Sequence, residues 1–485
     1  MQKLLTYTAF ALLFTTTGCK KFLDQSPDNR ANLQTPEQVS QLLGTAYPQA
    51  NYMAFTESIS DNVTDKGAGV QDKTNVDPYF FRDVSDNQQD SPEFYWNACY
   101  TAIAAANQAL ETISKSSDTT KFNAQKGEAL VCRAYAHFML VTFFSKVYNA
   151  TTAASDLGIP YVTSPETTVF KQYDRKTVAY VYQMIEADLL RGLPLIDDTK
   201  YTVPRYHFTK AAANAFASRF YLFKKDYTKV VSYANAVFGT ATVTTTLRPW
   251  NTTYRTMTPQ EMFTIYEKAT EPANLLLCET GSVWGRNYYT VRYGMNSVKR
   301  DEIFGANVCD KDAEWAFTYQ IYTAGTNNYV IPKINEYFVR SSVNANIGLP
   351  YVMVPLFTTE EVLFNRIEAN TYLNTNNAIA DLNTYASTRI VDYDFAKHQI
   401  TAAKLQSFYN TNNLSNNLRS ALLDFKRAEY VQEGMRWFDL LRYPNITITH
   451  TTTDGQSFTL NATSPMRVFQ LPESVKQSGM PLNPR

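Results

Sequence analysis

The sequence predicts a mostly α-helical protein, built of helix hairpins with a loop-rich, irregular region laid against them. Three observations carry this reading. In Leu422–Pro444, apolar residues recur at three- and four-residue steps: Leu422, Phe425, Ala428, Val431, Met435, Phe438 and Leu441. That is the pattern of one helix with a buried face. The charges fall between those positions, with Glu433 and Arg436 spaced to pair on the surface, and Pro444 closes the helix. Second, residues 211–238 read as two short helices whose small residues face each other across a turn at Asp226-Tyr227. Neither half buries its apolar face without the other. Third, residues 240–358 are rich in Thr, Asn, Tyr, Gly and Pro and lack long periodic runs.

Taken in order, the chain opens with Lys3 and the apolar run Leu4–Phe14, too short to span a bilayer as a mature helix. Thr16-Thr17-Gly18-Cys19 follows and resembles a bacterial lipobox. Residues 1–18 are then a lipoprotein signal peptide, and Cys19 carries the lipid that anchors the chain to a membrane. Residues 19–35 are polar and form a tether. Thr35-Pro36-Glu37 opens a helix to Tyr47, with Thr35 as cap and Pro36 in the first turn. Residues 55–91 read as loop. Ser91-Pro92-Glu93 opens the next helix, and Phe122–Val147 returns after a break at Ser114–Thr120, giving a hairpin. Val178–Leu193 and Thr209–Lys225 follow, then Asp226–Phe238 with Gly239 as its C-terminal cap. Met262–Tyr266 and Leu275–Glu279 are strand candidates. Helical periodicity returns at Thr359. Residues 401–434 supply a last pair that runs into Leu422–Pro444, and the tail from 447 is extended. The organisation is therefore an N-terminal helical part at 36–239, a loop-rich insertion at 240–358, C-terminal helical pairs at 359–446 and a tail at 447–485. Residues 36–485 form one compact unit.

Composition limits the partners. The 485 residues carry 45 basic and 45 acidic side chains, so net charge gives no reason to expect nucleic acid. The 33 Tyr, 29 Phe and 5 Trp suit partly wet binding surfaces as well as packing. Cys99, Cys132, Cys278 and Cys309 show no metal-ligand spacing, and Cys99 and Cys132 read as small core residues. No GxSxG, HExxH, P-loop or GxGxxG occurs. The histidines are scattered, with His137 placed in a helix core, and the adjacent acids Asp301-Glu302 and Glu360-Glu361 do not resemble a cleft-spanning pair. Neither an enzyme nor a cofactor is expected.

The 211–238 unit resembles a tetratricopeptide repeat, and four such hairpins imply a right-handed superhelical scaffold. The run Arg427, Glu429, Glu433, Gly434, Arg436, Trp437, Phe438, Asp439, Leu440, Arg442 resembles the late signature of the SusD-like (RagB/SusD) lipoproteins, with Phe425 where that family usually has an acid. The likeness continues in order through Cys19, Trp96, Tyr100 and Asn107, Glu128-Ala129, Arg133-Ala134, Asp188-Leu189, Thr209-Lys210, Asp226-Tyr227, Glu361, Glu368-Ala369 and Phe469–Pro472. The resemblance implies a surface lipoprotein of Bacteroidota. It would capture oligosaccharides, or sometimes peptides, and pass them to a SusC-like TonB-dependent outer-membrane barrel without catalysis. A ligand-free envelope scaffold and a surface hydrolase are the rival readings.

Glycan capture needs flat aromatic faces with Asn, Asp and Arg beside them for hydroxyls. Two stretches offer such sets. One is Asp77, Arg82, Trp96, Asn97 and Tyr100, around the helix that begins at Pro92. The other is Trp284, Arg286, Tyr288, Tyr289, Tyr293 and Trp315. In Gly281–Arg286 the glycines around Trp284 are read as freeing the backbone to present it. Both sets serve equally well as packing between loop and scaffold.

Overall fold

The computed structural model describes residues 33–166, 171–323 and 327–485. The signal segment, the lipobox at Cys19 and most of the tether lie outside them. Among the described residues no helix is long and apolar enough to cross a membrane.

Helix α1 (Pro36–Leu43) starts at Thr35, whose hydroxyl accepts from Gln38 N while Gln38 Oε1 accepts from Thr35 N. It stops at Gly44, short of the expected Tyr47. The stretch read as loop contains α2 (Met53–Ser58) and α3 (Lys73–Tyr79). All six residues of α2 are buried, so it has no polar face for periodicity to reveal. Next comes α4 (Pro92–Ser114), capped by Ser91. The central helix α5 (Asn123–Phe144) is buried without interruption from Gly127 to Phe144. Helix α6 (Val178–Gly192) crosses it where Gly127 and Gly192 meet. A Cβ on Gly127 would lie 2.9 Å from Gly192 O. Arg133 on α5 ties down Asp188 on α6 through two bonds of 2.7 and 2.8 Å. His137 is a satisfied core residue. It bonds Arg133 O and accepts from Val162 N, and its ring stacks on Tyr161 at 3.8 Å.

Helices α7 (Lys210–Lys224) and α8 (Tyr227–Phe238) form the expected hairpin, with Thr209 and Asp226 as N-caps. Met262–Tyr266 is helical, as part of α9 (Pro259–Tyr266), and not a strand. Its β-rich composition is overridden by the capping box of Thr258 and Glu261 and by Pro259 in the first turn. Strand β1 (Asn274–Gly281) is followed by α10 (Ser297–Phe304), β2 (Glu336–Arg340) and β3 (Gly348–Thr358). These strands form an antiparallel sheet in the order β1–β3–β2. β3 runs directly into α11 (Thr359–Leu373), which pairs with α12 (Thr375–Ala386). Helix α13 (Ala402–Tyr409) pairs with α14 (Leu414–Glu429), and α15 (Arg436–Arg442) precedes a hairpin of β4 (Ile448–Thr451) and β5 (Ser457–Leu460). The protein is thus mostly helical, with the sheet set into the loop-rich region.

The single helix expected over Leu422–Pro444 is two helices, α14 and α15, joined by a left-handed turn at Gln432 (φ 71°) and Gly434 (φ 73°). The amides that a continuous helix would use are taken elsewhere. Gln432 N and Gly434 N donate to the Glu57 carboxylate on α2, at 2.8 and 3.1 Å. Glu433 and Arg436 do not pair with each other. Lys333 Nζ and Tyr266 OH both reach Glu433 at 2.8 Å, while Arg436 grips Asp61 through two 2.8 Å bonds. Each charge is used to pull a separate loop onto the turn.

Gly434 also meets α2 without room for a side chain, since a Cβ there would lie 2.9 Å from Met53 Cα and closer still to Thr56 Oγ1. Gly434→Ala should therefore lose about 3 kcal/mol of stability from combined overpacking and left-handed strain. Chemical denaturation of the two chains would measure it, and equal midpoints would refute this account of the turn.

Candidate functional site

The β1–β3–β2 sheet offers one face to the core and one to solvent. Along β3, Val352, Val354 and Leu356 are buried, while Leu349, Tyr351, Met353 and Pro355 keep partial or full exposure. This alternation follows from the two-residue period of a strand. Tyr351 sits opposite Tyr337 of β2 on one side and Gly281 of β1 on the other. The two tyrosine rings are 6.2 Å apart at 26° and form a shallow aromatic floor. Gly281 puts no side chain beside Tyr351.

Polar groups ring this floor. Tyr337 OH donates to Glu279 Oε2 at 2.6 Å. Burial and that carboxylate push the Tyr337 hydroxyl well above its usual range, so it stays a neutral donor. At one end, Gln89 and Phe94, from the start of α4, close on Gly281. The Gln89 amide nitrogen lies 3.1 Å, and the Phe94 ring edge 3.8 Å, from where a Cβ would stand. Arg286 pairs with Glu336 at 2.7 Å and remains largely exposed, but Glu336 stands opposite Val352 and so leaves β2 on the other face from Tyr337 and Tyr351. The turn Pro204–Tyr206 packs along β1, with the Tyr206 ring 41% exposed. Half-buried flat rings beside an acid and an amide make a surface that can stack a pyranose face and bond its hydroxyls.

The expected site residues scatter. Arg286 is exposed, but its partner Glu336 stands on the opposite face of β2 from Tyr337. Trp284 is buried, and its indole N–H donates to Gln432 O at 3.0 Å. Gly285 serves close packing rather than presentation, since a Cβ there would lie 2.8 Å from Glu336 N. Tyr288 is buried with its hydroxyl on Ile331 O and Ile334 O, Trp315 packs edge-on against Phe425 at 5.1 Å, and Tyr293 stacks on Tyr79 at 4.0 Å. These four are framework residues. Tyr289 is half-buried against Tyr288. Trp96 is 5% exposed and packs on Phe144. With the half-buried Tyr100, whose hydroxyl is held by Pro160 O, it lines a separate crevice of about 330 Å³. Asn97 is exposed on α4. Asp77 accepts from Ser85 N and Oγ at 3.0 Å, and Arg82 is exposed with its guanidinium over Phe80. The residues missed are Tyr337, Tyr351, Glu279, Gln89 and Phe94. Their signal was the alternation of Leu349, Tyr351, Met353 and Pro355, hidden in a stretch without helical period.

Among the described residues no group of His, Cys, Asp and Glu is placed to hold a metal ion, and Cys99, Cys132, Cys278 and Cys309 are buried and unpaired.

Comparison with known proteins agrees with this architecture. Residues 21–222 match a SusD-like family described as starch-binding and associating with the outer membrane. A curated relative, SusD-like protein P2 of Formosa agariphila, is 29% identical over 146 residues, which is 30% of this chain and 26% of that protein. The match thus spans about a quarter of the relative's length. A SusD superfamily crystal structure from Bacteroides thetaiotaomicron superposes with a TM-score of 0.70 at 19% identity, covering 93% of this chain and 100% of that one. A laminarin-binding SusD-like protein superposes at 0.58 with 15% identity, covering 93% and 100%.

At the base of β2, Asn335 N donates to Glu267 at 2.7 Å. Burial pushes the Glu267 carboxyl up to about 8 from 4.5, against that opposing bond. A raised acid favours the fold when protonated. Its contribution is fully present below about pH 4.5 and is lost as pH rises through about 8. Glu267→Gln keeps a carbonyl acceptor for Asn335 N but cannot ionise. The variant should gain melting temperature over the parent at about pH 9 and show little gain at about pH 4. A pH-independent difference between the two melting curves would refute the assignment.

Proposed function

We propose, from the premise that this chain is a SusD-like protein by its sequence over residues 21–222 and by its fold, that it captures oligosaccharides at the cell surface and delivers them to a SusC-like TonB-dependent outer-membrane barrel. The observation that carries the capture step is the tyrosine floor of the sheet, with Tyr351 and Tyr337 side by side and Glu279 and Gln89 around it. Sugars present C–H faces that stack on such rings and hydroxyls that need paired donors and acceptors at the rim. Catalysis is no part of this reading: the carboxylate at the floor, Glu279, is bonded to Tyr337 rather than set across a cleft from a second acid. Lipid at Cys19 holds the protein at the outer membrane, and the polar residues after it let the folded part reach the barrel.

The test is calorimetric titration of residues 20–485, without Cys19, against starch-type and laminarin-type oligosaccharides and against peptide digests. Saturable binding to one glucan class without product formation is the expected result. Tyr351→Ala should weaken it by about tenfold while the melting temperature stays close to the parent's. Turnover of the glycan, or saturable binding of peptides alone, would overturn the reading.

A further inference from the structure

A second cavity lies on the helical scaffold, away from the sheet. It encloses about 500 Å³ between the ends of α5, α7, α11 and α14 and the segment after α15. That is within the size range of small-molecule sites. Its charged lining is three cations, Lys225, Arg419 and Arg442, against one carboxylate, Glu368.

The one carboxylate is already spent. Arg442 grips Glu368 through both terminal nitrogens, the second at 2.8 Å, and Tyr443 OH donates to it at 2.7 Å. Arg442 also donates to Asp439 Oδ1 at 2.9 Å and its Nε–H is fully buried, so Arg442 is a fixed part of the wall. Arg419 has no carboxylate partner among the described residues. Its guanidinium lies over the Tyr372 ring at 4.6 Å, and Tyr372 in turn stacks on Tyr227 at 4.2 Å and 5°. The stack holds the guanidinium in place before any ligand arrives. Lys225 also lacks an acidic partner among the described residues. It occupies the left-handed position that ends α7 (φ 61°), where Gly or Asn is the usual residue.

We infer that this cavity is a binding site for an acidic sugar unit, a uronic acid or a sugar sulfate. Its oxyanion would be held by Arg419 and Lys225, and its hydroxyls would meet Asn149, Asn416 and the tyrosine hydroxyls. Guanidinium groups suit planar carboxylate and sulfate oxygens. The cavity is far larger than a bare oxyanion needs, and its remaining lining mixes polar and aromatic side chains with Val147, Leu222, Leu423, Pro444 and Ile446. That the oxyanion rides on a sugar rests on the glycan-capture reading; the demand for an oxyanion rests on the cavity alone.

The experiment titrates residues 20–485 by calorimetry with short oligogalacturonides, a chondroitin sulfate tetrasaccharide, neutral oligosaccharides and inorganic sulfate. It uses the parent, Arg419→Gln and Lys225→Asn. Both side chains are partly or fully exposed, and Asn tolerates the left-handed position, so both variants should fold. Melting curves check this. Saturable binding of one acidic probe is expected, weakened by about tenfold in each variant and falling with added salt. Retained neutral-oligosaccharide binding in the variants would show that the sheet surface is untouched. Three results would overturn the inference: no acidic saccharide binds the parent, the acidic probe binds Arg419→Gln as tightly, or inorganic sulfate binds as tightly as the saccharides. If neutral oligosaccharides bind while the acidic ones fail, the capture reading stands and only this site falls. The choice between galacturonate and sulfated probes identifies the oxyanion.

Discussion

Four side chains without any solvent exposure, Arg248, Arg389, Glu360 and Glu429, hold the rest of this structure in register. Arg248 reaches Glu360 at 2.9 Å, Arg389 reaches Glu360 at 3.0 Å and Glu429 at 2.7 Å, and Arg389 also donates to Arg248 O. Lys333 and Glu433 extend the cluster, which then holds three cations and three carboxylates. Burial opposes ionisation of Glu429, but the Arg389 guanidinium more than offsets it, and the carboxyl stays below its usual value. Such clusters add little net stability, because desolvation offsets much of the Coulomb attraction. What they do is exclude alternatives. A packing that left one of these charges unpaired inside the core would be several kcal/mol worse, on the order of 3–5.

The consequence for function runs through Glu360. It is the second residue of α11, and β3 enters that helix without a loop. Fixing Glu360 between Arg248 and Arg389 therefore fixes the direction in which β3 leaves the scaffold, and with it the face on which Tyr351 stands. The Gln432–Gly434 turn does the same from the other side. Lys333, three residues before β2, bonds Glu433 and the carbonyls of Glu429 and Val431. The course of β3 and the start of β2 are thus set by charges off the floor: Glu360 with Arg248 and Arg389 for the first, Lys333 with Glu433 of the signature segment for the second.

This explains how far the sequence could be read. The helices with an amphipathic stripe and a Ser, Thr or Asp cap, such as those beginning at Pro92, Lys210 and Tyr227, were legible because local forces and tertiary packing agree there. The break in the signature helix was not. Its cause is Glu57, more than 370 residues earlier, which takes the amides that would have continued the helix. The site suffered in the same way. A Trp between glycines and a Tyr on an exposed sheet face look alike as letters, and only the strand pairing shows that the first is packed and the second open. Arg286 stays exposed because of its charge, yet its partner Glu336 stands on the other face of β2 from Tyr337. Nothing in the letters alone marks Tyr337 and Tyr351.

The chain's balanced charge, 45 basic against 45 acidic side chains, sharpens the contrast between the two surfaces. A neutral protein has no long-range field to gather anions, and salt screens charges over about 8 Å under physiological conditions. Any preference for an acidic ligand must then arise at contact. In the scaffold cavity Glu368 is neutralised by Arg442, while Arg419 and Lys225 have no carboxylate partner among the described residues; on the sheet the Glu279 acid is bonded to a tyrosine. The same kinds of side chain thus give a cavity with two cations left over and a floor of neutral rings beside one bonded acid. The difference lies in which partner each carboxylate was given by the fold.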